Sequence, residues 1–230
     1  MLISVPISET AHAILEAAPH MRKGAVLAEI SSVKSETYEA LKAAAQLGVA
    51  PLCIHPMFGA SAEELGDKTV VILPVKEPDE EWELARQLFP NVKLTPSVPS
   101  THDRCMATLL SLPYMMNLAF ASVVGSMDMP LLRKLAGPTY AVQIALSQSV
   151  VQEEPSLVRE LVSRNRFSIE LMESLKKALI ELQRASENCE NFKELHRGLQ
   201  KSMGADPDYV TADTRRYRVF KAMMDRNTLD

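Results

Sequence analysis

Short apolar runs alternate with helical periodicities over the first 96 residues. Leu2-Ile3-Ser4-Val5 is one such run, ended by Pro6; residues 8–18 then carry a helical pattern, and residues 25–30 read as a buried strand. A second helix is predicted over 35–47, with Ser35 as its N-cap and Gly48 just past its end. Strands follow at 51–54 and 69–73, a helix at 79–88 and a last short strand at 92–94. Apolar runs of this length between helices define βα units and a mostly parallel sheet.

The pattern changes at Thr95-Pro96-Ser97-Val98-Pro99-Ser100, where prolines and serines punctuate the chain. Beyond it there is no strand pattern. Residues 101–126 are apolar on almost every side, which predicts a buried helix. Helices are expected at 139–152, 155–186 and 190–203, and a polar tail with a turn at Asp206-Pro207-Asp208 over the last 25 residues. The predicted architecture is therefore α/β plus all-α: an α/β domain over 1–97 and a helical domain over 98–230. A helix as apolar as 101–126, in a chain with 12 methionines, needs neighbours all round and points to an intertwined homodimer.

Composition adds exclusions. With 230 residues, 47% hydrophobic and 23% charged, the chain has the make-up of a globular protein. A net charge of −4, with only a small basic surplus beyond residue 154, argues against nucleic acid as a partner. No run of 18 consecutive apolar residues occurs, and the first residues lack a basic leader pattern; no membrane partner and a cytoplasmic location are expected. The three cysteines, Cys53, Cys105 and Cys189, match no metal spacing and are expected as free thiols, so no metal site is assigned.

Two segments carry the candidate chemistry. Ser31-Ser32-Val33-Lys34 and His55-Pro56-Met57-Phe58-Gly59 each follow a predicted strand, at the sheet edge where open α/β folds bind ligands. A hydroxyl, an ammonium and an imidazole would converge there. Each also has a plain structural reading: Ser32 as a helix cap, Lys34 as a solvated lysine, His55 as a histidine bonded to backbone. His12, His20 and His196 read as surface residues, and Arg215-Arg216-Tyr217-Arg218 as a solvated run or a subunit contact.

Ser32-Val33-Lys34 followed by His55-Pro56-Met57-Phe58-Gly59 resembles the prephenate/arogenate dehydrogenase family. Ile3-Ser4-Val5-Pro6-Ile7 resembles that family's fourth Rossmann strand and the loop after it. Thr101-His102-Asp103-Arg104 resembles the opening of its helical domain, and Gly137-Pro138-Thr139-Tyr140 through Glu154-Pro155 a later helical segment. The resemblance implies a partial Rossmann-like nucleotide-binding domain followed by a helical dimerisation domain. It also implies NAD- or NADP-dependent oxidative decarboxylation of prephenate or arogenate on the route to tyrosine. In that reaction a hydride leaves the ring carbon bearing the hydroxyl, and the ring carboxylate departs as carbon dioxide. The implied catalytic residues are His55, which polarises the substrate hydroxyl, and Ser32, which helps to hold it. Pro6, Ile7 and Lys34 are implied on the cofactor side, and Tyr114, His102 and Arg104 on the substrate side.

Three departures accompany the resemblance. The eight glycines include no pair separated by one residue, so the G-x-G-x-x-G turn is absent. The expectation is that the chain starts at the family's fourth strand, through a misassigned start, a separate subunit or true loss. The runner-up function is accordingly a non-catalytic dimeric relic, or half of a split enzyme. Ala141 stands where the family's carboxylate-gripping arginine is expected, with Arg104, Arg133 and Arg159 as candidates to replace it. Tyr114 and Ala60-Ser61 also differ from common family residues.

Overall fold

The structure, a computed structural model, describes residues 1–59, 62 and 66–225. Five strands form one sheet in the order β1 (Leu2–Ile3), β2 (Val26–Glu29), β3 (Ala50–Pro56), β4 (Thr69–Ile72) and β5 (Lys93–Pro96). All neighbours are parallel except β3 and β4, which run antiparallel, with Ile54 opposite Ile72 and Pro56 opposite Val70. The mostly parallel sheet is thus observed, with one reversal. Ala60 and Ser61 lie outside the described residues.

Helices cover both faces of this sheet. Leu27, Cys53 and Val71 point to one face, where they pack with Ile14 of α1 (Ile7–Ala17) and Leu41 and Ala44 of α2 (Ser35–Gln46). Ala28, Leu52, Ile54, Val70 and Ile72 point to the other, against Ala85 and Trp82 of α3 (Pro78–Leu88). The period-2 alternation of a strand produces this division. Fully burying one leucine such as Leu41 is worth about 1.5–3 kcal/mol. Gly48 follows α2 at φ +91°, a conformation that only glycine adopts without strain. Glu81 fastens the entry to α3, its buried carboxylate accepting from the backbone N–H groups of Val75, Lys76 and Glu77.

After β5 the chain is helical. The predicted helix at 101–126 runs from Pro99 to Val124 as α4 (Pro99–Met106), a π-helical stretch at Ala107–Ser111, and α5 (Leu112–Val124). It is long and apolar enough to cross a membrane by length and composition. Its expected all-round burial is not observed: Leu109, Met116 and Val123 are exposed. The segment expected as one helix over 155–186 is broken into α8 (Pro155–Ser163) and α9 (Arg166–Ser186). Asn165 sits at the break, its Oδ1 accepting from Phe167 N and its Nδ2 donating to the Asp103 carbonyl. Two helices were not anticipated: α6 (Met129–Leu135), capped by the Asp128 side chain, and α11 (Ala212–Met224) in the supposedly irregular tail. α7 (Pro138–Gln152) and α10 (Cys189–Met203) fall where the pattern put them.

The chain forms two compact units. The first holds residues 1–112 and 154–169, so α4 and α8 belong with the sheet. Within it Ser8 N donates to the Glu160 carboxylate, and Ser111 Oγ donates to the Leu161 carbonyl. The second unit holds residues 113–153 and 170–230. There Asn117 of α5 accepts from Gln143 and Ser147 of α7, and Arg216 of α11 donates to Thr139.

Candidate active site

β2 and β3 end side by side, with Glu29 opposite Cys53. Glu29, an acid inside an apolar strand, is fully buried. Its Oε1 accepts from Lys34 Nζ at 2.6 Å and from Cys53 Sγ at 3.0 Å, and its Oε2 accepts from Ser31 N at 2.8 Å. Lys34 Nζ also donates to the Ile54 carbonyl at 2.6 Å. The ammonium thus ties the loop after β2 to the end of β3. Burial pushes the Cys53 thiol well above its ordinary range, which keeps it a protonated donor.

The placement corrects one expectation. Lys34 is not a solvated lysine: it is 0% exposed, and its ammonium is engaged with Glu29 and the Ile54 carbonyl. Glu29 was overlooked, although an acid in an otherwise apolar strand signals a buried cation nearby.

His55 follows on the same face of β3 as Cys53 and is only 4% exposed. Its Nδ1 lies 3.0 Å from Nε2 of His102, whose Nδ1 lies 2.9 Å from Asp103 Oδ1. Asp103 accepts further hydrogen bonds from Lys34 N at 2.8 Å and Ser35 N at 2.9 Å, and from the Ser35 hydroxyl. The carboxylate therefore caps α2, the role sequence reading gave to Ser35. Burial holds His55 well below the usual histidine value, and the Lys34 charge and His102 add to this against a smaller opposing pull from Asp103. Burial works to raise the Asp103 carboxyl, but the hydrogen bonds from His102, Ser35 and Lys34 outweigh it and keep the group below its usual value.

Ser32 is half-buried in the same loop after β2, beyond the end of its strand. Pro6 is exposed at the start of α1, and Ile7 lines a cavity of about 150 Å³ with Val33, Thr37 and Arg164. His102 is 2% exposed, with one ring nitrogen against His55 and the other against Asp103. Arg104 lies over the Phe167 ring, 4.4 Å from its centroid. In the second unit, the Tyr114 hydroxyl donates to both carboxylate oxygens of Glu153 at 2.7 and 2.8 Å. Burial, with that carboxylate, pushes its pKa up, so the hydroxyl is a committed donor rather than a free one. Among the described residues, no group of three His, Cys, Asp or Glu is placed to hold a metal.

An open, mostly parallel α/β sheet with ionisable residues where β2 and β3 end has the layout of a nucleotide-binding fold. Residues 1–95 match the nucleotide-binding domain of prephenate dehydrogenase, and residues 98–201 match its dimerization domain. The chain belongs to the prephenate dehydrogenase family. Among curated proteins it is 28% identical over 167 residues to the "Probable arogenate/prephenate dehydrogenase" of Methanocaldococcus jannaschii, over 70% of this chain and 37% of that protein. It is 25% identical over 182 residues to the T-protein of Haemophilus influenzae, over 76% of this chain and 47% of that protein. The chain thus spans less than half the length of either relative. Among solved structures, Synechocystis arogenate dehydrogenase superposes with a TM-score of 0.68 at 24% identity, covering 90% of this chain and 78% of that one. The A. aeolicus prephenate dehydrogenase complex with hydroxyphenyl propionate and NAD⁺ gives 0.66 at 19% identity, covering 89% and 76%.

Proposed function

We propose that this chain carries the hydroxyl-activating part of a cytoplasmic, homodimeric dehydrogenase that decarboxylates prephenate or arogenate oxidatively with NAD or NADP. The observation that carries the reading is His55: an imidazole kept uncharged by burial at the C-terminal edge of the sheet, with Nε2 free of any partner among the described residues. An uncharged imidazole there accepts a hydrogen bond, and then a proton, from a ring hydroxyl as the carbon beneath it is oxidised. Positioned acid–base assistance of this kind is worth about 10²–10⁴ in rate. Ser32 in the adjacent loop is the second candidate contact to that hydroxyl. The family match to a dimerization domain supports the homodimer.

The dinucleotide fits these residues only in part. The connections from β1 to α1 and from β2 to α2 contain no glycine. The two glycines at positive φ, Gly24 and Gly48, precede strands at the opposite edge. Among the described residues these two connections form no glycine-built pyrophosphate cradle, and no step is assigned to the cofactor. This observation favours a second reading, in which these residues are one part of the enzyme and the cradle lies outside them.

The deciding assay is turnover of prephenate and of arogenate with NAD⁺ and NADP⁺, wild type against His55→Gln. A loss of about 10²-fold or more in kcat with KM little changed is expected; equal rates would remove His55 from the chemistry. Titration with either nucleotide, followed by Trp82 fluorescence, separates the two readings. No binding at millimolar nucleotide is expected of the chain alone, and saturable binding would end the two-part reading.

A further inference from the structure

We infer that Asp103 and His102 are positioning residues that lock His55 into the tautomer with a proton on Nδ1 and a bare Nε2. The inference rests on the proposed role of His55 for its meaning, but on hydrogen-bond bookkeeping for its content. An ionised carboxylate only accepts, and its two oxygens offer about four sites. Asp103 fills them with Lys34 N, Ser35 N, Ser35 Oγ and His102 Nδ1. His102 Nδ1 must therefore be the one that bears hydrogen. With one proton per ring, His102 Nε2 is a lone pair, and the 3.0 Å contact is made only if His55 Nδ1 donates to it. The remaining nitrogen, His55 Nε2, is then an acceptor and has no partner among the described residues.

This one-way polarity sets the proton's course. A substrate O–H donates to His55 Nε2, and when its proton crosses, the N–H bond forms there as the O–H bond breaks. The resulting imidazolium keeps its Nδ1–H on His102, whose own Nδ1–H remains on Asp103. No proton needs to reach Asp103. The carboxylate acts through an intervening ring, 47 residues from His55 in sequence, and both rings are held because Asp103 is itself fixed on the first turn of α2. The groups that face His55 are Lys34 from the loop before α2, and His102 and Asp103 from α4.

The test is the tautomer itself, read by ¹⁵N NMR on the full 230-residue chain labelled at its five histidines, with His55→Asn and His102→Asn used for assignment. At pH 7.5 His55 and His102 are each expected as single Nδ1–H forms, with the exposed His12, His20 and His196 as internal references. His55 protonated on Nε2, or as mixed as the exposed rings, would overturn the inference. Asp103→Asn offers an amide N–H where the carboxylate accepted, so His55 is expected to move to the Nε2–H form. His102→Phe fills the same space, leaves Asp103 to cap α2, and should release His55 to a mixture. A His55 tautomer unchanged in a folded His102→Phe protein would overturn the inference even if Asp103→Asn fails to fold. None of these measurements uses substrate or cofactor, so they stand or fall apart from the assigned reaction. Where turnover is measurable, His102→Phe should lower kcat with KM little changed, and His102→Gln, whose amide oxygen still accepts from Nδ1, should restore part of it.

Discussion

The two units bury apolar surface in different ways. The sheet-containing unit closes its own core: Ile14, Leu27, Leu41, Leu52 and Ile72 are inaccessible to solvent, and helices cover both faces of its sheet. The helical unit does not. No residue of α10 or α11 is buried, and Leu179, Ile180, Leu182 and Leu199 stay exposed. α9 and α10 line an open groove of about 870 Å³ with Ile180, Ala185, Leu195 and Leu199 between charged rims. One unit is thus a finished core, and the other leaves an apolar groove open, within the region that matches a dimerization domain; the proposed homodimer would place a second copy there.

The largest effect should come from the buried ion pair of the finished core. Removing one partner strands the other's charge, which costs about 3–5 kcal/mol. Lys34→Met should therefore cut the stability of the sheet unit by about that much in urea unfolding followed by Trp82. Glu29→Gln/Lys34→Met together should recover a good part of it. Equal stability in the single variant would mean that Lys34 is not held as the structure has it.

Next in size is the contrast itself. Leu41→Ala should cost about 2–5 kcal/mol in the sheet unit, because a filled core cannot close over the cavity. Leu199→Glu and Ile180→Glu should leave that unfolding transition in place and instead turn dimers into monomers, as read by sedimentation. A dimer unaffected by both charges would place the subunit contact elsewhere on the helical unit.

Acid should separate two titrations within the sheet unit. His55 is depressed by burial, so below about pH 6.5 the unfolded chain takes up a proton that the folded chain refuses. Stability then falls as pH falls, by up to about 1.4 kcal/mol per unit until the folded value is reached. Asp103, also depressed, adds a loss only below about pH 4. His55→Phe should abolish the first window and leave the second. A pH profile unchanged by His55→Phe would show that the imidazole is not buried uncharged.

Sequence pattern read the finished core better than the open one, for a physical reason. Strands such as β4 and helices such as α2 are fixed by local periodicity, and their predicted bounds lie within a residue or so of those observed. α11 escaped because its residues are polar enough to pass for a tail, and its helicity is supported by packing on α7 rather than by a continuous apolar face. The break at Asn165 escaped because it depends on a hydrogen bond to Asp103, 62 residues away. The site divides in the same way. His55 was legible from its place after a strand. The contacts of His102 and Asp103 were not, since they join residues 47 to 69 apart in sequence.

The smallest effect probes the open unit from inside. Asn188 caps α10, its Oδ1 accepting from Glu190 N at 2.9 Å and Asn191 N at 3.2 Å. Removing such a cap costs about 0.5–2 kcal/mol, and α10 has little else within one chain to resist fraying, since it buries no residue. In a monomer, Asn188→Ala should therefore be visible as faster amide exchange over residues 189–193 with no change in the sheet unit. In a dimer the same substitution should be masked, because a partner packed on Leu195 and Leu199 would hold α10 in place. Raising protein concentration should then restore protection in the variant. Protection that is low and independent of concentration would mean that α10 is free in the assembled protein, and that the groove beside it is not where two copies meet.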